Sequence, residues 1–192
     1  MTHRLKLMMT GIALFGMTGA AHAQNSVSSQ VDVGATVAGA CGLGAPNVTV
    51  INLGDLTGAN GLLDPTKKVT TTLGEAVIAD AWCNTSHKLT IGGQPMTLQR
   101  SVSYAQPTYM TRHITFDAKL EGWAAGIDYR PRSGNDGFAV SFSSARAAVA
   151  PGLQIKISNL ETLTAARVEQ AGLMLEHGDY KGTITITLAP TS

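Results

Sequence analysis

The side chains able to do chemistry here are two thiols, a few histidines and a scatter of carboxylates. Cys41 and Cys83 are the only cysteines among 192 residues. Two readings of them compete. In an exported chain, two cysteines most simply form one disulfide, and a loop of this length would be stabilised by about 4 kcal/mol on the chain-entropy model. A metal centre would need three or four ligands at suitable spacing. His87, His113 and His177 lie far apart in sequence and form no ligand motif. His113 is the best-placed histidine for catalysis, beside a strand that begins near Ile114, but no nucleophile motif accompanies it. No G-x-S-x-G turn is present. Glu75, Asp80, Asp117, Glu121 and Asp128 show no spacing that defines an acid pair. Asn135-Asp136-Gly137 reads as a turn, without the alternating acidic pattern of a calcium loop. Asn47-Val48-Thr49 and Asn84-Thr85-Ser86 match the short glycosylation pattern, which recurs by chance. The expectation is a protein that is not an enzyme and that carries no cofactor or metal.

The redox argument rests on export. Residues 1–23 read as a signal peptide: Arg4 and Lys6 are its basic start, Leu7 to Ala20 its mostly apolar run, and Ala21-His22-Ala23 its small-x-small end. Cleavage is expected between Ala23 and Gln24. The apolar run is shorter than the roughly 20 residues a spanning helix needs, so no transmembrane anchor is expected. Removing those 23 residues leaves 169, enough for one domain with a core. The leader holds two of the 14 Lys and Arg and none of the 13 Asp and Glu, leaving a net charge of −1. Such a balance argues against nucleic acid as a partner, which would call for a basic patch.

The elements that would position these groups read as strands. In residues 24–41, Val27, Val31, Val33, Ala35 and Val37 fall on odd positions, with Ser28, Gln30, Asp32 and Thr36 on even ones. That alternation gives a strand one apolar face. No hairpin turn joins it to a neighbour, and an unpaired apolar strand is an aggregation hazard. Further along, Val48–Ile51 begins a strand, and Val69–Cys83 reads as a long one interrupted near Gly74-Glu75, with Val77, Ala79, Ala81 and Cys83 on one face. Lys88–Ile91 is a short strand closed by Gly92-Gly93, and Gln94–Arg112, with Tyr104 and Tyr109, reads as a long polar surface connection.

Ile114–Leu120, Phe138–Phe142 and Leu153–Ile157 are further strands, and Tyr129–Gly137 is a charged turn. Ser158 to Gln170 leaves a choice between a short helix opened by Ser158-x-x-Glu161 and an irregular crossover. The last strand is the clearest: Tyr180, Gly182, Ile184, Ile186 and Leu188 face one way, and Lys181, Thr183, Thr185 and Thr187 the other. Seven or eight short strands separated by turns predict an all-β sandwich.

Five pieces in order carry a family resemblance. They are Gln30-Val31-Asp32-Val33 with Gly39-Ala40-Cys41, then Ala81-Trp82-Cys83, then Gly178-Asp179-Tyr180-Lys181 with Thr183 to Leu188. Together they resemble the archaic chaperone–usher pilins and the related spore coat protein U domain family, most at the two ends and least over residues 94–175. The resemblance implies an immunoglobulin-like sandwich lacking one strand, from Cys41 to the C-terminus, preceded by an N-terminal extension (24–40) that serves as a donor strand. A periplasmic pilus chaperone would first fill the gap, and an outer-membrane usher would pass the subunit into a fibre on the cell surface. There the extension of another copy or a sister subunit takes the chaperone's place, a form of β-augmentation. Tyr180, Ile184, Ile186 and Leu188 would then be both core and the edge offered to the partner. Tip adhesins carry an additional domain for which there is no room here, so a shaft or adaptor position is expected.

Magnitudes favour a preformed acceptor. Burying four valines contributes about 6–12 kcal/mol, while ordering eleven residues costs about 1–2 kcal/mol each. Ladder hydrogen bonds must supply the rest. The alternative is a self-contained secreted sandwich of the spore coat U type, whose residues 25–40 fold back as an ordinary first strand and which acts as a binding module.

Overall fold

A computed structural model of the chain describes residues 33–123, 126–132, 137–148 and 152–191. The chain divides into two units, Met1–Thr36 and Val37–Ser192. Of the first, only residues 33–36 are described, and they are exposed and form no regular element. The expected cleavage site at Ala23 and Gln24, and the donor-strand residues Val27 and Val31, lie outside the described residues.

The second unit is all-β. Its strands are β1 (Cys41–Leu43), β2 (Gly74–Ile78), β3 (Ala81–Cys83), β4 (His87–Leu98), β5 (Met110–Thr111), β6 (His113–Glu121), β7 (Ile127–Tyr129), β8 (Gly137–Phe142), β9 (Leu153–Leu163), β10 (Met174–Leu175) and β11 (Tyr180–Pro190). The main sheet runs β11-β4-β6-β9-β2, with β8 added to β4 and β7 to β6, and every pairing in it is antiparallel. Strands β4 and β6 meet only at Met96↔Ile114 and Thr97↔His113. Elsewhere β4 lies between β11 and β8, and β6 between β9 and β7. The sheet therefore has two arms joined at one corner, an arrangement consistent with a β-sandwich. Ile114, Phe116, Ala118 and Leu120 of β6, Leu89 and Ile91 of β4, and Leu153, Ile155 and Ile157 of β9 form one apolar core. The alternation expected for β6 and β11 is the one observed.

Several expectations are corrected, each for a reason of long-range pairing. Gly92-Gly93 is not a turn. Strand β4 continues through it to Leu98, so the first part of the supposed connection Gln94–Arg112 is strand. Gly93 sits under β11, where a Cβ would collide with the Thr183 carbonyl oxygen. In this strand glycine marks a close backbone approach. Pro95 is tolerated because Pro95 and Met96 oppose the single residue Gly182, a bulge in the β4–β11 ladder.

The break in the Val69–Cys83 stretch falls at Ala79-Asp80, between β2 and β3, rather than at Gly74-Glu75. That break reverses the parity, so Ala76 and Ile78 are buried and Val77 is only half-buried. Residues 158–163 are neither helix nor crossover. They extend β9, paired with β6 as far as His113↔Leu163, with a bulge at Asn159-Leu160. The expected charged turn begins at Tyr129, the last residue of β7, which is laid against Ala118–Leu120, and residues 133–136 of that turn lie outside the described residues. Residues 48–51 form no strand, whereas Cys41–Leu43 pair with Ala81–Cys83.

Candidate functional site

Cys41 and Cys83 are joined by a disulfide that bridges β1 and β3. It pins the front of the second unit to the strand preceding β4. Further contacts continue this seam in both directions. Asn47 N–H donates to Val77 O (2.8 Å), Val77 N–H donates to Asn47 Oδ1 (2.7 Å), and Gly44 N–H donates to Asp80 O (3.0 Å). Residues 38–47 thus run antiparallel to residues 77–85. Both asparagines of the glycosylation-like patterns are occupied here in holding backbone: Asn47 on β2, and Asn84 on residues 38–40.

Around and beyond Asn47 the chain continues past β2, with Ile51 and Leu53 against Gly74, and forms one wall of a groove. The wall is Pro46–Leu53, steadied by Lys67 Nζ donating to Leu53 O at 2.6 Å. The opposite wall is β11 from Tyr180 to Ile184, and the floor is Ala76, Met96, Phe116, Ile155 and Ile157. The cavity measures about 340 Å³. Among the described residues, β11 has a ladder partner on one side only, which is β4. Its inward residues Tyr180, Ile184, Ile186 and Leu188 touch the core but stay only half-buried, while Leu89 and Ile91 on β4 are fully buried. Among the described residues, an apolar floor therefore lies beside a strand edge without a ladder partner along this line. Val48 and Val50, on the far wall, are exposed as well.

Tyr180, at one end of the β11 wall, belongs to a polar cluster. The Tyr180 hydroxyl donates to Glu176 O (2.8 Å) and Thr111 O (3.0 Å). Burial pushes this phenol up to about 12. The buried Glu176 carboxylate accepts from Arg112 Nε (2.6 Å), Arg100 (2.9 Å) and the Tyr104 hydroxyl (2.7 Å). Burial alone would raise its pKa, but the hydrogen bonds from Arg112 and Tyr104 and the two positive charges hold it below the usual carboxylate range. Tyr104 thus serves this cluster while staying exposed on one side, and Tyr109 is exposed as well.

The remaining candidates are dispersed. His87 is buried: Nδ1–H donates to Thr85 O (3.0 Å) and Nε2 accepts from Trp123 Nε1–H (3.1 Å), which consumes both ring nitrogens of a neutral imidazole. His113 Nδ1 is buried without a hydrogen-bond partner. Asp117 is bound by Arg130 and Asn159, and Glu121 by Lys156 and Lys119. Glu75, Asp80 and Asp128 are exposed. Among the described residues no three His, Cys, Asp or Glu side chains are grouped as metal ligands, and no helix is long and apolar enough to cross a membrane.

Val33 and Val37 are exposed, at 94 % and 83 %, and residues 33–40 form no strand, although their alternation reads as one. A strand requires a ladder of hydrogen-bonded neighbours, and the ladder with β3 begins at Cys41. Trp82 is partly exposed and lies against Gly42. Sequence reasoning singled out β11 but missed the wall Pro46–Leu53 and the floor residues. Only Phe116, inward in the alternation of β6, was signalled beforehand.

No protein-family model matches this chain, and no curated protein or solved structure matches it.

Proposed function

We propose that this protein is a non-enzymatic structural subunit of an extracellular fibre of the chaperone–usher kind, assembled by donor-strand exchange and serving adhesion or biofilm formation. The observation that carries this reading is the open apolar groove between β11 and Pro46–Leu53. An unpaired strand edge beside an apolar floor is the surface that β-augmentation fills: backbone bonds supply affinity, and alternate side chains enter the floor. The segment Val27–Val37 has the matching chemistry, with small apolar residues at every second position from Val31 to Val37. Ala76, Phe116, Ile155 and Ile157 offer such side chains an apolar surface of mixed size.

On this reading a periplasmic chaperone occupies the groove first, the usher exports the subunit, and another copy or a sister subunit completes the sandwich. Head-to-tail pairing of this kind is heterologous and propagates an open filament. Nothing in the mechanism calls for a cofactor, a metal or nucleic acid. The incomplete sandwich is then of the immunoglobulin-like pilin type, with residues 24–40 as its donor.

The test deletes residues 24–38 while keeping the export signal. Unboiled and boiled samples are then compared on a denaturing gel. The full chain should give a ladder of heat-labile multimers, and the truncated chain a chaperone-bound monomer only. Fibres assembled normally by the truncated chain would overturn the proposal. A single monomer band from the full chain would favour the self-contained secreted module.

A further inference from the structure

Residues 38–40 carry a feature that the groove alone does not require. The Asn84 side chain grips their backbone at two points: Ala40 N–H donates to Asn84 Oδ1 at 2.6 Å, and Asn84 Nδ2 donates to Ala38 O at 3.0 Å. The Asn84 main chain adds a third bond, donating its N–H to Ala40 O at 3.0 Å. Gly39 lies against the Thr85 methyl, so close that a Cβ would sit 3.0 Å from it. These contacts extend the β1–β3 pairing outward past the disulfide. Followed from Leu43 back to Ala38, the chain therefore keeps one straight line beside residues 81–85.

That line matters because of where it leads. Strand β11 ends beside the start of β4, with Pro190 paired to His87 and Thr191 N–H donating to Ser86 O. Cys41 and Asn84 thus stand at the end of the domain where β11 finishes, while the groove's wall and floor lie toward the Tyr180 end. For residues preceding Ala38 to enter the groove of their own chain, the backbone would have to reverse at 38–41 and run back as a hairpin against Pro46–Leu53. The Asn84 grip holds those residues extended and opposes that reversal.

We infer that Asn84 is a positioning residue that disfavours closure of the groove by the chain's own N-terminal segment and so favours a second copy as the occupant. This rests on the donor-strand reading of the groove. It assigns to Asn84 a bias between self-closure and assembly, beyond its place in the fold.

The experiment compares the full exported chain with its Asn84→Ala and Asn84→Asp variants. Aspartate keeps the acceptor for Ala40 N–H and loses the donor to Ala38 O. Three readouts are taken: the multimer-to-monomer ratio on unboiled gels, protease protection of residues 24–37 in the isolated monomer, and the thermal midpoint. The Asn84→Ala variant should lower the multimer-to-monomer ratio at least fivefold and yield monomers whose residues 24–37 are protected, and Asn84→Asp should fall between it and the parent. A purely structural role would lower the thermal midpoint without protecting residues 24–37 in monomers, and that result overturns the inference. So does an unchanged ratio in any variant that folds, with Asn84→Asp deciding if Asn84→Ala does not fold. An absence of multimers from the parent chain itself overturns the donor-strand reading, and with it the role given to Asn84.

Discussion

Glu176 Oε2 lies 2.6 Å from Arg112 Nε, with the carboxylate 1 % exposed and the guanidinium 17 %. The pair joins the end of the 99–112 connection to the segment leading into β11. Through the Tyr180 hydroxyl, which donates to Glu176 O, the pair's segment is tied to the start of β11.

Neutralising the carboxylate should be costly. Glu176→Gln leaves Arg112 and Arg100 without their shared counter-charge, so the variant should be less stable than the parent. Urea denaturation at neutral pH measures this directly. The native carboxylate has a lowered pKa, so its contribution is present above the unfolded value near 4.5 and is lost as pH falls below it through the folded value. The Glu176→Gln variant should therefore lose part of the acid sensitivity seen in the parent. An acid limb identical in both proteins would contradict this assignment.

His113 makes a separate prediction at milder acidity. Burial, with the Arg167 and Arg112 charges, pushes it down to about 4 from an ordinary value of 6.5. Between those values the unfolded chain takes up a proton that the folded chain refuses, so stability declines as pH falls from about 6.5 to about 4 and is level above that window with respect to this group. His113→Asn should flatten this decline, read as urea midpoints at half-unit steps of pH. A slope unchanged by the substitution would show that the histidine is not its source.

Tyr180 governs the alkaline side. Its phenol is held up to about 12, so the folded state resists an ionisation that the unfolded chain undergoes near 10. Stability should be intact below about 10 and fall as pH climbs toward 12. Tyr180→Phe removes a donor to two carbonyl oxygens, at a cost of about 1–3 kcal/mol. It should also remove the alkaline slope, which thermal unfolding followed from pH 8 to 11.5 would register.

The Cys41–Cys83 bridge closes a sequence separation of 42 residues. Replacing both cysteines by serine should destabilise the fold by about 4 kcal/mol on the chain-entropy model. Because the bridge lies next to the Asn84 contacts, the double variant should also speed proteolysis at residues 38–43, detectable by mass spectrometry of limited digests. Protection of this stretch at the parent's level would argue that β1–β3 pairing holds without the covalent link.

Particular elements explain how much could be read beforehand. β6 and β11 were legible because each alternates without interruption, and side-chain parity is a property of neighbouring residues in the chain. Gly92-Gly93 and Pro95 were misread because the same residues that punctuate turns also serve close backbone approach and bulges. Only the presence of β11 distinguishes those uses. The Ser158-x-x-Glu161 pattern carried a genuine helix-start signal, overridden by the pairing of β9 with β6 and the burial of Leu160 and Leu163. The final strand was expected to offer an edge, but the wall that faces it was not expected. Pro46–Leu53 lacks strand periodicity in its partners and gains its place through Asn47, Lys67 and the core beneath.

By itself, the sequence determined an all-β chain, the inward face of its final strand, and an alternating apolar segment ahead of Cys41. Tertiary structure alone decided which strand edges are paired, that β11 keeps one free among the described residues, and that Asn84 holds residues 38–40 while Glu176 gathers Arg100, Tyr104 and Arg112. The physical reason is one of range. Alternation and turn chemistry act between residues a few positions apart, whereas a hydrogen-bonding partner or a counter-charge arrives from dozens of residues away, and no local pattern records which one it will be.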